Sequence, residues 1–342
     1  TMKMDIRTAV DEVSTSGEFK RSESAWRSWI TSTGRFRPEK NRYHLYIAAA
    51  CPWAHRTLIV RSLKGLEDCI SVTMVHPTWQ KTSSDPSDSH YGWVFGNPNS
   101  AEKWTNAKGL GGPFPPYYPG TDPDPNVGAT TIRELYEIAG DTNRKYTVPI
   151  LWDKHENTIV SNESSEIILM LNSQFNEFAR HPDLDLYPDH LVEDIESVNE
   201  WIYPNINNGV YRCGFATTQV AYDQAIDDLT YAFDQVTAIL EHQRFIAGNQ
   251  ITLADVRLFV TLLRFDPVYV VYFKTNTRSV IHTPVLLNYC RDMYQRVAET
   301  VNMEQIKVHY FTSHPQLNCY SIIPRGIDFE GLLKEPHNRE SL

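Results

Sequence analysis

The sequence predicts an α/β domain followed by an all-α domain. Strand-like and helix-like segments alternate in the first half of the chain, whereas helical periodicity alone dominates the second half. The length of 342 residues also suits about two domains. The predicted parts are an N-terminal extension (1–40), an α/β domain (41–175) with an insertion at about 77–130, an all-helical domain (186–325) and a C-terminal tail (326–342).

The first regular structure is predicted to be a strand, a helix and a strand. The apolar run His44–Ala50 is short enough for a buried strand. Pro52 suits the first turn of a helix, because its missing N–H would be unpaired there. Gly65 ends the helical spacing, and Ile70–Val75 is β-branched and alternating, which is typical of a strand. These segments predict a βαβ unit with Cys51 at its first turn.

A long polar insertion follows, and four further elements come after it. The insertion is rich in Pro, Gly, Asn, Asp and Ser. Loops of that length in compact domains more often have a function than serve only as connections. The later elements are a helix from Ile132 to Ala139 ended by Gly140, strands Val148–Trp152 and Thr158–Val160, and a helix Ser164–Leu171. The order βαβ, insertion, αββα is that of a thioredoxin-like domain with a four-stranded mixed sheet.

The second half of the chain predicts a helical bundle. After the linker His181–Pro188, apolar residues recur every three or four positions from Leu191 to Ile202 and from Tyr222 to Leu240. Thr252-Leu-Ala-Asp255 has the pattern of a capping box, which predicts the start of another helix.

Composition excludes several classes of function. Asp and Glu outnumber Lys and Arg by 42 to 32, so nucleic acid and anionic membranes are poor partners. No stretch of ~20 uncharged apolar residues predicts a membrane helix, and the acidic first thirty residues resemble neither a signal nor a transit peptide. A cytoplasmic location is therefore expected. Five scattered cysteines are poor material for a disulfide framework, and no His or Cys pair has the spacing of a zinc site, so we expect neither.

Cys51 is the strongest candidate for chemistry. A helix N-terminus beside it, with His55 and Arg56 one turn on, would favour the thiolate. Most cysteines in such proteins are instead buried and inert, which is the interpretation we give to Cys69, Cys213, Cys290 and Cys319. Because Ala54 stands where a dithiol enzyme has a second cysteine, an external thiol would have to resolve any mixed disulfide.

Two further patterns predict a binding pocket near Cys51. Pro149 at the start of a strand suggests a cis peptide bond after Val148, which would turn the Val148 backbone toward a ligand; a plain edge-strand proline is the alternative. Glu163 and Ser164 at the next helix start could bind an ammonium and a carboxylate, although simple N-capping would explain them equally well. A strand edge and an amino-acid subsite near a thiolate together describe a glutathione pocket.

These motifs carry a family resemblance. The chain from Tyr43 to Tyr310 resembles the Xi-class glutathione transferases, also called glutathionyl-hydroquinone reductases. The resemblance lies in Cys51-Pro-Trp-Ala-His-Arg56, His76-Pro-Thr-Trp79, Thr147-Val-Pro149, Asn162-Glu-Ser-Ser165, Asn207-Asn-Gly-Val-Tyr211 and Arg264-Phe-Asp266. It implies a glutathione-transferase fold, glutathione as co-substrate, and a homodimer formed largely by the second domain, where Val268–Phe273 is a candidate exposed segment.

The resemblance also implies roles for individual residues. Cys51 would take the glutathionyl group from a glutathionyl-hydroquinone, and a second glutathione would release it as oxidised glutathione. This reaction would contribute to quinone detoxification. The implied glutathione-binding residues are Trp79, Val148, Pro149, Glu163 and Ser164. Tyr203, Tyr211 and Tyr289 are candidates for binding the hydroquinone, since phenols both stack and donate hydrogen bonds; core tyrosines of a bundle are the alternative.

Two other functions remain open at this point. An Omega-like thioltransferase or dehydroascorbate reductase would use the same cysteine on another leaving group. A non-catalytic carrier would have the same fold and would bind aromatic ligands without catalysing a reaction. The Trp53-Ala54 pair and the long insertion argue against the first, and retention of the whole Cys51 environment argues against the second.

Overall fold

Two units, each with its own core, make up the chain in a computed structural model that describes Thr8 and residues 11–342. The first unit contains Thr8, Asp11 and residues 22–183 and 302–324, and the second contains residues 12–21, 184–301 and 325–342. The strands are β1 (Tyr43–Ile47), β2 (Ser71–Met74), β3 (Gln80–Lys81), β4 (Tyr91–Gly92), β5 (Ile150–Asp153) and β6 (Thr158–Ser161). The α-helices are α1 (Pro52–Lys64), α2 (Ile132–Ile138), α3 (Ser164–Ser173), α4 (Val192–Ile202), α5 (Gly209–Phe215), α6 (Gln219–Leu240), α7 (Leu253–Arg264), α8 (Val270–Tyr272), α9 (Pro284–Val297), α10 (Met303–Thr312) and α11 (Phe329–Leu333).

A four-stranded mixed sheet in the order β2-β1-β5-β6 forms the centre of the first unit. β1 pairs in parallel with β2 and antiparallel with β5, and β6 lies at the edge, antiparallel to β5. Every residue of β1 and β5 is buried, since α1 and α3 cover the sheet. The predicted order of elements and the thioredoxin-like topology are confirmed.

Local chemistry sets the ends of the first helix. Cys51 is its N-cap residue in an extended conformation, and Pro52 occupies the first turn, as the sequence predicts. The helix stops at Gly65, which has φ 65°, and the Gly65 N–H bonds back to the Ser62 carbonyl. Glycine takes this left-handed conformation without the steric cost that a Cβ atom brings.

The insertion holds little regular structure beyond the short pair β3 and β4. His76, at the end of β2, joins it to the sheet: Nδ1 accepts a hydrogen bond from the Thr78 N–H, and Nε2 donates to the Pro115 carbonyl. The imidazole also packs against the rings of Trp104 and Tyr118. His76 therefore connects the sheet to two distant parts of the insertion.

Helix α10 packs on this insertion within the first unit. The Thr78 and Thr312 hydroxyls lie 2.9 Å apart, and the Trp79 N–H donates to Ser313 Oγ at 3.0 Å. The sequence-based boundary at 186–325 placed these C-terminal residues in the helical domain. In the structure, residues 302–324 instead belong to the first unit, because polar and aromatic groups of the insertion pack against this helix.

The second unit is helical, as predicted. The apolar face of α6 is buried through Ile226, Leu229 and Phe233, and the Thr252–Asp255 capping box begins α7. The segment Val268–Phe273 differs from the expectation that it is exposed: Val271 alone is exposed, because a π-helical turn directs the neighbouring rings into the core. No helix in the described part of the chain combines the length and apolarity needed to cross a bilayer.

Candidate active site

Cys51 and Val148 meet where β1 gives way to α1. The Cys51 Sγ lies 3.5 Å from the Val148 carbonyl oxygen, and the cysteine is half-buried. The predicted cis peptide bond between Val148 and Pro149 is present. The structure thus brings together the sulfur and the backbone position that sequence reasoning assigned to one pocket.

The surroundings of Cys51 favour negative charge. The sulfur belongs to the N-cap residue of a 13-residue helix, whose first turn carries partial positive charge. His55 and Arg56 of the next turn are both buried, and the Arg56 guanidinium lies 4.4 Å from the centre of the Trp53 ring. A thiolate at this point would therefore lie at the positively polarised end of a helix.

Glu163 caps the N-terminus of α3 and is held by three hydrogen bonds. Its Oε1 accepts from the Ser165 N–H and the Ser165 hydroxyl, and its Oε2 accepts from the Ser24 hydroxyl at 2.8 Å. Burial acts to raise the pKa of Glu163, but these bonds and the charge of Arg56 outweigh it, so the net pKa is lowered. Glu163 is consequently a carboxylate at neutral pH.

Sequence reasoning missed two contributors to this site. Arg56 was considered only for its effect on Cys51, yet its charge also acts on Glu163. Ser24 was not considered at all, because nothing in the local pattern of the N-terminal extension shows which distant residue it contacts. Ser164, the first residue of α3, is buried beside Glu163, as the sequence suggests.

Trp79 lies in an aromatic cluster of the insertion and α10. Its ring packs edge-on against Trp93, His309 and His314, at centroid distances of 5.6, 5.4 and 4.9 Å. It also lines a cavity of about 590 Å³, formed largely by insertion residues such as Asp85, Ser87 and Tyr91 and by Ser313, Pro315 and Gln316. The contacts of Trp79 are thus with this cluster.

The three candidate tyrosines have different environments in the second unit. Tyr203 begins a π-helical turn and is 38% exposed. Tyr211 is buried among Phe19, Phe215 and Phe273.

Tyr289 is fully buried in α9, and its hydroxyl donates to Asp255 at 2.9 Å. This position supports the start of α7 through the capping residue and does not fit the predicted ligand role. Its spacing on an amphipathic helix could not distinguish a core tyrosine from a ligand-binding one.

The remaining cysteines differ from Cys51 in burial and protonation. All five cysteines are free thiols. Burial raises the pKa of Cys69 and Cys290, and it raises that of Cys213 to about 12. These three thiols are therefore protonated at neutral pH, as expected of inert core cysteines, whereas Cys319 is half-buried like Cys51.

Comparisons with known protein families agree with this arrangement. Residues 50–174 match the model of the glutathione S-transferase N-terminal domain, and residues 219–291 match that of the C-terminal domain. The glutathionyl-hydroquinone reductase YqjG of Escherichia coli is 42% identical over 97% of this chain and 95% of its own. Glutathione S-transferase omega-like 2 of Schizosaccharomyces pombe is 39% identical over 92% and 95%.

Solved structures give the same assignment. The glutathione S-transferase Xi of Phanerochaete chrysosporium superposes with a TM-score of 0.81 at 44% identity, covering 92% of this chain and 95% of its own. The glutathione-bound structure of Escherichia coli YqjG superposes with a TM-score of 0.80 at 41% identity, covering 92% and 96%. The chain therefore belongs to the glutathione transferase family and, within it, to the Xi class.

Proposed function

We propose that this protein is a glutathionyl-hydroquinone reductase in which Cys51 is the nucleophile and glutathione the co-substrate. The observation that carries the proposal is the position of Cys51, a single half-buried thiol at the start of α1, with its sulfur beside the Val148 backbone and with Ala54 in place of a second cysteine. A cysteine is a better nucleophile than the Ser or Tyr hydroxyl that activates glutathione for conjugation. Similarity to YqjG supports the same substrate class.

The reaction takes two thiol-exchange steps. In the first, the Cys51 thiolate attacks the glutathione sulfur, an S–S bond forms, and the bond between sulfur and the aromatic carbon breaks. The electron pair and a proton go to that carbon, which releases the hydroquinone. In the second step a glutathione thiolate attacks the mixed disulfide, so that oxidised glutathione leaves and the Cys51 thiolate is regenerated.

Glutathione would be held by backbone and side chains around Cys51. The Val148 main chain, whose carbonyl oxygen lies 3.5 Å from the Cys51 sulfur, would pair with the cysteinyl backbone of the ligand. The ionised Glu163 would bind the γ-glutamyl ammonium. The Ser164 hydroxyl and the N–H groups at the start of α3 would bind its carboxylate. Because Trp79 is enclosed by the rings of the insertion cluster, its packing on glutathione has less support than these contacts.

Tyr203 is the best supported candidate for the aromatic half of the substrate. It is the most exposed of the three predicted tyrosines, at 38%. Tyr211 stays a weaker candidate because its ring already packs among other aromatic side chains.

A second candidate function is that of an Omega-like thioltransferase or dehydroascorbate reductase. The specific observation in its favour is the 39% identity to an omega-like relative. The same Cys51 mixed disulfide would be its intermediate, so substrate preference separates the two functions.

We further propose a cytoplasmic location and a homodimer. Five free thiols suit a reducing compartment. In the second unit, Val220, Tyr231 and Val271 are exposed apolar residues, and contact with a second copy would cover such groups.

The test of the function is substrate turnover combined with labelling of Cys51. Glutathionyl-menadione should be reduced much faster than dehydroascorbate or a disulfide substrate. Incubation with oxidised glutathione should add one glutathione to Cys51, as seen by mass spectrometry. Cys51→Ser should lose both the label and the reductase activity, by at least about a hundredfold, because the hydroxyl is a poor nucleophile at neutral pH.

Cys319→Ser is the matched control, since it removes the other half-buried thiol and should keep full activity. If Cys51→Ser retained most of the wild-type rate, the nucleophile would be assigned wrongly. Faster turnover of dehydroascorbate than of glutathionyl-menadione would favour the Omega-like function.

A further inference from the structure

Residues 22–30 of the N-terminal extension, here called the edge segment, lie along the outer edge of the sheet in the first unit. The Ser28 N–H donates to the Val160 carbonyl, and the Asn162 N–H donates to the Trp26 carbonyl, each at 3.0 Å. Arg27 and Ser161 form an antiparallel bridge between these bonds. The edge segment thus pairs with β6 and continues past its end, toward the start of α3.

Side chains extend this pairing to the proposed glutathione site. The Ser24 hydroxyl donates to Glu163 Oε2 at 2.8 Å, and the Trp26 N–H donates to Asn162 Oδ1 at 3.1 Å. Asn162 in turn donates to the Tyr136 hydroxyl, which donates to the carbonyl of Thr147, the residue before Val148. The edge segment is therefore linked by hydrogen bonds to both sides of that site.

We propose that Ser24 is a positioning residue for an ammonium subsite at Glu163, acting through its hydrogen bond to Oε2. The inference rests on the proposed function, because the ammonium is that of the γ-glutamyl group. The family model of the N-terminal domain matches this chain from residue 50 onward, so it does not include Ser24.

The hydrogen bonds of Glu163 explain why Ser24 matters. A carboxylate accepts about four hydrogen bonds, and three are already made, two on Oε1 and one on Oε2. Ser165 fixes Oε1 as part of the helix cap. Among the described hydrogen bonds of Glu163, Ser24 is the one donor to Oε2. Fixing Oε2 leaves one acceptor direction, which the ligand ammonium can use without reorganising the carboxylate.

The Ser24 bond also favours the charged form that an ammonium requires. Glu163 is half-buried, and burial opposes ionisation. Loss of a donor to Oε2 would therefore both free the rotamer and raise the pKa of Glu163.

The experiment compares Ser24→Ala with Ser28→Ala by calorimetric titration of glutathione. Both variants remove one hydroxyl from the edge segment, but Ser28 is exposed and pairs with β6 through its backbone, which alanine retains. Ser24→Ala should raise the Kd for glutathione about three- to tenfold, the range expected for one net hydrogen bond. Ser28→Ala should match the wild type, and Ser24→Thr should restore binding.

Two readouts separate positioning from a general structural effect. An analogue of glutathione that lacks the α-amino group should bind wild type and Ser24→Ala equally, because the subsite acts on the ammonium. As the pH is lowered, glutathione binding should also begin to weaken at a higher pH for Ser24→Ala than for the wild type.

Equal Kd values for Ser24→Ala and Ser28→Ala, or an equal loss of affinity for the deaminated analogue, would overturn the inference. Failure of the wild type to bind glutathione would instead count against the proposed function, so the two failures are distinguishable.

Discussion

Acidification should destabilise the first unit through His76, and the size of the effect follows from its environment. The imidazole is fully buried at the junction of β2 and the insertion, and burial lowers the pKa of His76 to about 4 from an ordinary value near 6.5. Its two ring nitrogens are committed to Thr78 and Pro115 in the neutral form. Protonation of Nδ1 would break the bond from the Thr78 N–H.

The sign follows from proton binding in the two states. Between pH 6.5 and pH 4 the unfolded chain binds a proton at this position and the folded chain does not. Stability is therefore present above the unfolded pKa and is lost as the pH falls toward the folded pKa. From pH 7 to pH 5 the loss from this one residue is about 2 kcal/mol, and it approaches about 3 kcal/mol at pH 4.

The assay is urea denaturation of wild type and His76→Gln at pH 7 and pH 5, followed by tryptophan fluorescence. Glutamine stays neutral at both pH values, and its amide can still donate to the Pro115 carbonyl. Trp104 lies 4.6 Å from the imidazole, ring centre to ring centre, so the signal includes this region. Between pH 7 and pH 5, the free energy of unfolding should fall by about 2 kcal/mol more for the wild type than for His76→Gln.

His155→Gln provides the control, because this histidine lies in the exposed turn between β5 and β6. It should keep the loss of stability on acidification that the wild type shows, because His76 is still present in this variant. The reasoning is refuted if His76→Gln is as sensitive to pH as the wild type. An imidazole pKa near 6 for His76, measured by NMR in the folded protein, would refute it as well.

Two further predictions concern the second unit. Gly214→Ala should destabilise the protein by about 1–3 kcal/mol in thermal or chemical denaturation, because the new Cβ would lie 2.2 Å from the Phe273 ring. Gly209→Ala in the same helix would give its Cβ only ordinary van der Waals contacts, with the nearest atom at 3.6 Å, and should be neutral or stabilising; equal losses for both would contradict the packing argument. Light scattering at micromolar concentration should give twice the mass of the 39.4 kDa chain if the proposed homodimer forms, and a single-chain mass would exclude it.

Local features of the fold were predictable because their causes are close in sequence. Pro52 and Gly65 delimit α1 by backbone chemistry alone, whereas the cis bond before Pro149 was expected only because that proline follows a thioredoxin-like βαβ unit. The capping box at Thr252 is again local. Cys51 stood out for the same reason, since a helix N-terminus and its cations lie within five residues.

Features that depend on distant partners were not predictable. The sequence of α10 does not show that the insertion packs against this helix. The helical spacing around Tyr289 likewise does not show that Asp255 accepts a hydrogen bond from its hydroxyl. The Ser24 to Glu163 bond joins residues 139 positions apart, which no single-sequence pattern can indicate.

The return of α10 to the first unit affects how the protein can be made. Residues 22–183 leave the ribosome early, but the contacts of Thr78 and Trp79 with Thr312 and Ser313 have to wait for about 130 more residues. At ordinary rates of translation that interval is on the order of 10 s. During it, the Trp79 ring lacks its partners His309 and His314. Folding of the nascent chain therefore cannot proceed one finished domain at a time.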